Sequence, residues 1–260
     1  MESKHLSFDT AALSDMGRVR SNNEDRVFAV ERTRRNALGA ESVGIYMVAD
    51  GMGGHQAGEV ASGMALRIIS KTLLESLEQQ YKSLLPVSLV KRAIEKANKE
   101  IIHLAGCKKE LYSMGTTVTL GFRLDNTLCL GHVGDSRAYL IRKAGIEQLT
   151  EDHSLVARLL KARVITSEEA TRHPERGIIF RCLGASDNIV IDTTTRKLSD
   201  GDSLVFCSDG LTAHVREDEI SKCVRESRCA NEACEKLVEL ANSRGGQDNT
   251  SVIVVNMKLK

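Results

Sequence analysis

Apolar residues along the chain recur with two different periods. Between Ala57 and Tyr81, and again over Ser88–Ala105, they recur every three or four positions, which predicts two long amphipathic helices. The same period over Asn231–Ser243 predicts a third helix near the end of the chain. Each helix has one apolar face, and we expect that face to cover a sheet.

Most of the remaining apolar residues lie in short runs that are rich in β-forming residues. Asp125-Asn126 separates two of them and is a hairpin signal. Closely spaced runs with short turns favour antiparallel pairing over crossover connections, so the pattern predicts an α+β fold. The predicted strands are Arg26–Val30, Val43–Ala49, Thr116–Arg123, Leu128–Val133, Ala138–Arg142, Ile189–Thr193, Ser203–Cys207 and Ser251–Met257.

The segment Asp152–Asp187 differs from the rest of the chain in composition and pattern. It is charged, it contains Pro174, and only Ser154–Ala162 and Ser167–Thr171 have helical patterns. We therefore predict an insertion that lies over a more regular body. With 260 residues, no internal repeat and no low-complexity tract, residues 1–260 are expected to form one domain.

Composition excludes several classes of protein. Lys and Arg number 36 against 35 Asp and Glu, and this balance disfavours a general nucleic-acid binder. No apolar stretch approaches the roughly 20 residues that span a bilayer, and no secretory leader is visible, so we expect a cytoplasmic protein without a membrane partner. Seven cysteines without a C-x-x-C pair are typical of reduced thiols in such a protein.

Aspartates stand at the ends of five predicted strands, and most of them adjoin glycine. Any one of them fits ordinary turn chemistry, as Asp200-Gly201 does. Five carboxylates gathered at one end of a sheet would repel each other unless cations lie between them. Carboxylate and carbonyl oxygens select hard ions such as Mg²⁺ or Mn²⁺, and two such ions are suited to phosphate-ester hydrolysis. The five residues are Asp25, Asp50, Asp135, Asp209 and Asp248.

A glycine-rich stretch, Asp50–Glu59, follows one strand and opens the first long helix. It matches neither a Walker A loop nor the dinucleotide fingerprint. His55 within it is a candidate acid or base, with an exposed loop histidine as the alternative. Arg18 and Arg20 precede Asp25, where a guanidinium is able to grip a phosphate; a solvated arginine is the alternative for either one.

Taken together, the motifs resemble the metal-dependent protein serine/threonine phosphatases of the PPM/PP2C type in their compact bacterial form. The resemblance follows the order of the family and covers nearly the whole chain. The matching stretches are Gly17–Asp25, Ala49–His55, Gly115–Thr117, Gly131–Arg137, Thr150–Ser154, Ser208–Leu211 and Gly245–Thr250.

The resemblance implies an α-β-β-α sandwich of two antiparallel sheets flanked by helix pairs, with the segment 152–187 as a flap beside the site. It implies two Mn²⁺ or Mg²⁺ ions and a third, weaker metal position. Asp50 would bridge the two ions, Asp209 and Asp248 would serve one of them, and Asp25 with the Gly51 carbonyl would serve the other. By the same resemblance, Asp135 would contribute to the third position, Arg20 would bind phosphate, and His55 would lie near the proposed general acid.

The implied activity is hydrolysis of phosphoserine and phosphothreonine in proteins by a metal-activated bridging hydroxide. We expect phosphorylated proteins as partners, a bacterial Ser/Thr kinase as the opposing enzyme, and a monomer. Two alternatives stay open at this point. One is a non-catalytic module that senses phosphoproteins or metal, and the other is a hydrolase of small phosphate esters. The flap departs from many relatives at Arg163 and Gly177, which affects substrate preference rather than the metal centre.

Overall fold

The computed structural model describes residues 6–36, 39–53, 57–78, 85–166, 169–170 and 173–259. Its strands are β1 (Leu6–Asp15), β2 (Arg26–Asn36), β3 (Gly39–Ala49), β4 (Gly51–Met52), β5 (Gly115–Thr116), β6 (Val118–Leu124), β7 (Thr127–Val133), β8 (Arg137–Arg142), β9 (Gly145–Gln148), β10 (Asp192–Lys197), β11 (Ser203–Cys207) and β12 (Thr250–Leu259). Its helices are α1 (Ala57–Glu78), α2 (Pro86–Cys107), a 3₁₀ turn (Lys109–Leu111), α3 (Leu155–Lys161), α4 (Asp209–Thr212), α5 (Glu217–Glu226) and α6 (Ala230–Ser243).

Ten of the strands form two antiparallel five-stranded sheets. The first has the order β1-β12-β11-β8-β9, and the second has the order β10-β7-β6-β3-β2. The strands β4 and β5 pair separately as a short ribbon. The α+β fold predicted from the spacing of the strands is therefore confirmed.

Three apolar layers hold the sheets and helices together. The central strands are apolar on both faces, so alternate side chains of β3 pack in opposite directions: Met47 towards α1 and α2, and Val48 towards the other sheet. In β12, Val254 likewise packs towards α5 and α6 while Ile253 faces the space between the sheets. The order of layers is helices, sheet, sheet, helices, as the sequence resemblance implied.

Several predicted elements differ from the observed ones. The helix predicted to reach Tyr81 is described as far as Glu78, and residues 79–84 lie outside the described part of the chain. The predicted strand Ile189–Thr193 is wrong in its bounds, since pairing with β7 starts only at Asp192 and continues to Lys197. The short helix predicted over Ser167–Thr171 falls mostly on residues that are not described.

Two further findings concern composition. All seven cysteines lie in the described residues and are free thiols, three of them buried. In the described ranges, no helix is both long enough and apolar enough to cross a membrane.

Candidate active site

Strand register brings the first two predicted aspartates together. In the second sheet, Arg26 at the start of β2 pairs with Ala49 at the end of β3. Asp25 directly precedes Arg26 and Asp50 directly follows Ala49, so the two aspartates lie at the same end of the sheet. The sequence pattern predicted that both follow or precede a strand, and the antiparallel register explains why they meet.

The first sheet delivers the other three aspartates to the same end. Cys207, the last residue of β11, pairs both with Val252 near the start of β12 and with Arg137 at the start of β8. Asp209, Asp248 and Asp135 lie just beyond these three strand ends. The five aspartates therefore gather where the two sheets end together.

A cleft of about 270 Å³ opens at this end of the sandwich. Six of the predicted site residues line it, namely Arg20, Asp50, Gly51, Asp135, Asp209 and Asp248. Asp25 lies beneath the cleft and is only 1% exposed. The other lining residues are Glu24, Met52, Gly53, Thr117, Gly177, Ile179 and Asn249.

Asp25 is the most deeply buried of the five carboxylates. One of its oxygens, Oδ2, accepts a hydrogen bond of 2.7 Å from the Ser208 hydroxyl. The other, Oδ1, has no hydrogen-bond partner among the described residues. Burial, reinforced by the negative charges of Asp209 and Asp248, raises the pKa of Asp25 to about 7.

The neighbouring carboxylates are destabilised in the same way. Burial and the charges of Asp25 and Asp209 raise the pKa of Asp50 well above its usual range. Burial, followed by the charge of Asp209, raises the pKa of Asp135 to about 8. Burial and Asp248 raise the pKa of Asp209. Each of these carboxylates therefore favours a nearby positive charge.

The donor set fits a hard divalent cation. It consists of carboxylate oxygens and the Gly51 carbonyl, and it includes one buried oxygen, Asp25 Oδ1, that lacks a partner among the described residues. In the described part of the chain, no group of three or more His, Cys, Asp or Glu side chains is already arranged to hold a metal ion. One positive charge already lies at the rim, because Arg20 Nη2 donates to Asp248 Oδ2 at 2.7 Å.

Polar residues that the sequence left without a role hold the loops of the site in place. The Asp50 amide donates to Thr117 Oγ1 at 2.9 Å, and its carbonyl accepts from the Thr117 amide at 2.8 Å. Asn249 accepts from the Glu24 amide and donates to the carbonyls of Met16 and Asn22. Motif membership was the only sequence signal for these residues, and it did not show which groups they bind.

Two predictions about individual residues have different outcomes. His55, the candidate acid, lies outside the described residues, so its role stays a prediction from the sequence. Of the two flap departures, Gly177 lines the cleft, and Arg163 has a φ of +56°, a left-handed conformation that favours glycine.

Comparison with known proteins agrees with this geometry. The family model described as Protein phosphatase 2C matches residues 10–186. The serine/threonine phosphatase stp of Listeria monocytogenes is 37% identical over 255 residues, covering 98% of this chain and 96% of that protein.

Two solved structures from the comparison share the fold. The Mycobacterium tuberculosis serine/threonine phosphatase PstP/Ppp has a TM-score of 0.84 at 35% identity, covering 96% of this chain and 99% of that one. The catalytic domain of PstP in complex with two manganese ions has a TM-score of 0.82 at 34% identity, covering 97% and 99%. The chain thus belongs to the protein phosphatase 2C family and is a Mn²⁺/Mg²⁺-dependent hydrolase that removes phosphate from serine and threonine residues of bacterial phosphoproteins.

Proposed function

We propose that the carboxylates of Asp25, Asp50, Asp135, Asp209 and Asp248, with the Gly51 carbonyl, hold the metal ions of this phosphatase. The observation that carries the assignment is the buried Asp25 Oδ1, which has no hydrogen-bond partner among the described residues and whose neighbours in the cluster are other carboxylates. A cation is the group that satisfies this oxygen and relieves the repulsion at once. When bound, Mn²⁺ or Mg²⁺ would supply positive charge and lower the pKa of water, so that hydroxide would be available near neutral pH to attack phosphorus.

Arg20 is proposed to bind the phosphoryl group of the substrate. Its guanidinium is about half exposed at the cleft rim, where it pairs with Asp248. Once Asp248 serves a metal ion, the guanidinium is available to phosphoryl oxygens, which match its planar donors. It would then hold the phosphoserine or phosphothreonine side chain over the carboxylates and stabilise the negative charge that spreads over the phosphoryl oxygens.

The remaining proposals concern the setting of the reaction. We propose that residues 1–260 act as one catalytic unit, that Gly177 and Ile179 of the flap segment 152–187 form one wall of its substrate cleft, and that the unit works as a monomer in the cytoplasm. Phosphoserine and phosphothreonine arise by transfer from a nucleotide, so the opposing enzyme is proposed to be a protein Ser/Thr kinase. From its place in the sequence alone, His55 is proposed either to protonate the leaving oxygen or to orient water beside it.

The test is phosphate release from a phosphothreonine peptide with Mn²⁺, with Mg²⁺ and with EDTA. Asp209→Asn removes one proposed ligand, and the exposed Asp218→Asn in α5 is the matched control with the same chemistry outside the site and the flap. We expect EDTA and Asp209→Asn each to lower the rate by roughly 100-fold or more, and Asp218→Asn to leave it within about twofold.

Each other outcome identifies a different error. Near-normal turnover by Asp209→Asn would show that the ligand assignment is wrong. Folded wild-type protein that releases no phosphate with either metal would favour a non-catalytic sensor. Release from p-nitrophenyl phosphate without release from the peptide would favour a hydrolase of small esters.

A further inference from the structure

His153 lies at the start of the flap segment and contacts the loop that carries Asp135. It is the last residue before Ser154, which caps the N-terminus of α3, and it is only 3% exposed. It does not line the cleft. Its ring packs against His132, with ring centroids 4.9 Å apart, and no role assigned so far uses it.

The imidazole and backbone of His153 hold both polar groups of Gly134. The Gly134 amide donates to His153 Nδ1 at 3.0 Å, and the His153 amide donates to the Gly134 carbonyl at 2.7 Å. Gly134 has a φ of +117°, and a Cβ there would lie 2.5 Å from the Thr117 side chain. This glycine therefore has one tightly defined position, and Asp135 is the residue that follows it.

The other edge of the ring is fixed by two charged side chains. Because Nδ1 accepts a hydrogen bond from the Gly134 amide, the neutral ring carries its proton on Nε2, and Asp192 Oδ2 faces that atom at 3.2 Å. Arg181 donates to Asp192 Oδ1 at 3.0 Å and lies 3.0 Å from Nε2. Asp192 is thus the common acceptor that orients the ring.

The same residue also supports the wall of the cleft. The Phe180 amide donates to the His153 carbonyl at 2.9 Å, and Ser154 pairs with Ile179 as an isolated bridge. Ile179 and Gly177 line the cleft. His153 therefore contacts, on one side, the loop of a proposed metal ligand and, on the other, Phe180, which adjoins the cleft residue Ile179.

We propose that His153 is a positioning residue that fixes the Gly134–Asp135 loop relative to the flap, so that the two move together. This inference rests on the proposed function for the identity of Asp135 as a metal ligand. The contact between Nδ1 and the Gly134 amide is the critical one. His153→Leu removes the acceptor, whereas Asn keeps an oxygen near the position of Nδ1.

The first test needs no metal and no activity. Amide hydrogen exchange is measured by NMR on the EDTA-treated protein for wild type, His153→Leu, His153→Asn and the control His103→Leu, which changes an exposed histidine of α2. We expect His153→Leu to speed exchange at Gly134 and at Phe180 by roughly tenfold or more, with the β11 amides unchanged. Asn should restore protection at Gly134. Unchanged exchange at Gly134 in His153→Leu would overturn the proposal.

The second test asks whether His153 acts through Asp135. Phosphate release is measured against Mn²⁺ concentration for His153→Leu, Asp135→Asn and the double variant. We expect His153→Leu to raise the Mn²⁺ concentration needed for half-maximal activity by about fivefold, and to cost less than about twofold in the Asp135→Asn background. If the effects of the two single substitutions multiply in the double variant, His153 acts independently of Asp135. That result would assign His153 a purely structural role and overturn the proposal.

The two tests separate this inference from the proposed function. Wild-type protein that releases no phosphate with either metal would overturn the proposed function, while exchange at Gly134 would still decide whether His153 holds the loop. If His153→Leu fails to fold, Asp192→Ala takes its place, because it removes the acceptor that orients the ring and leaves His153 intact. Unchanged protection at Gly134 in Asp192→Ala would then overturn the proposal.

Discussion

The Ser208 hydroxyl donates a hydrogen bond to Asp25 Oδ2 at 2.7 Å, while Asp25 Oδ1 is buried and has no partner in the part of the chain that the structure describes. The Ser251 amide in turn donates to Ser208 Oγ at 3.0 Å, so the serine links β12 to the carboxylate. One oxygen of Asp25 is therefore held by the protein, and the other is left for a ligand. The metal-free protein carries the free-energy cost of that arrangement.

Asp25→Asn should stabilise the metal-free protein and abolish most of its stabilisation by Mn²⁺. The amide keeps the acceptor for Ser208 and removes a buried negative charge that Asp209 and Asp248 repel. We expect a gain on the order of 2 kcal/mol in the free energy of unfolding in EDTA. Thermal unfolding with EDTA and with Mn²⁺ measures both effects. A variant that gained as much from Mn²⁺ as wild type does would show that Asp25 is not a ligand.

The place of the aspartates was predictable from the sequence, whereas their support was not. An aspartate that ends an apolar strand is visible in one dimension, because the strand and the polar residue adjoin. The contact between Ser208 and Asp25 joins residues 183 positions apart, and it depends on how the two sheets pack. The roles of Asn249 and Thr117 likewise depend on tertiary packing. Their partners are backbone groups of other loops, and no sequence pattern specifies such groups.

Arg20→Ala should weaken substrate capture and strengthen metal binding. The guanidinium that pairs with Asp248 is a positive charge beside the proposed metal site, so its loss lowers repulsion towards Mn²⁺. We expect KM for a phosphothreonine peptide to rise about tenfold, with kcat within about threefold of wild type. Calorimetric titration with Mn²⁺ should show tighter binding to Arg20→Ala than to wild type.

Arg18→Ala is the control for Arg20→Ala, since Arg18 is an exposed arginine two residues away. Arg18→Ala should leave KM and the affinity for Mn²⁺ near the wild-type values. A large fall in kcat for Arg20→Ala with an unchanged KM would contradict the role of this residue in binding phosphate.

Most of the fold was predictable because the central strands and long helices have strong apolar periods. The elements that were not predicted from the sequence have weaker apolar periods. The strand β1 (Leu6–Asp15) is an edge strand with a mixed face, and its order comes from pairing with β12 along its whole length. The helix α5 carries a charge at most positions and buries only Ile220, Val224 and Ser221. Tertiary packing rather than local pattern stabilises such elements.

Arg123→Ala should destabilise the protein strongly, although it lies far along the sheet from the cleft. Its side chain is fully buried, pairs with Glu31 Oε2 at 2.5 Å, and donates to the Tyr46 hydroxyl at 3.1 Å. Removal leaves Glu31 and Tyr46 without their cationic partner. We expect a loss of about 3 kcal/mol in urea unfolding, against almost none for the exposed Arg92→Ala.

The double variant Arg123→Ala with Glu31→Leu tests the reason for that loss. Removing the carboxylate as well should recover part of the stability, because the stranded charge causes much of the cost. If the double variant were no more stable than Arg123→Ala, the cost would come from lost packing instead.

His132→Gln should remove an acid-sensitive contribution to stability. His132 is buried between Thr119 and the Glu151 carbonyl, and burial, with the nearby His153, lowers its pKa to about 4. The unfolded chain binds a proton near pH 6.5, so the stabilisation from the neutral ring is complete above that pH and is lost as the pH falls towards 4. The difference in unfolding free energy between wild type and variant, measured in EDTA with urea, should shrink by up to about 3 kcal/mol from pH 7.5 to pH 4.5. Both proteins keep the aspartate cluster, so its own titration cancels in the difference. A difference that did not change with pH would show that His132 is not held neutral in the folded state.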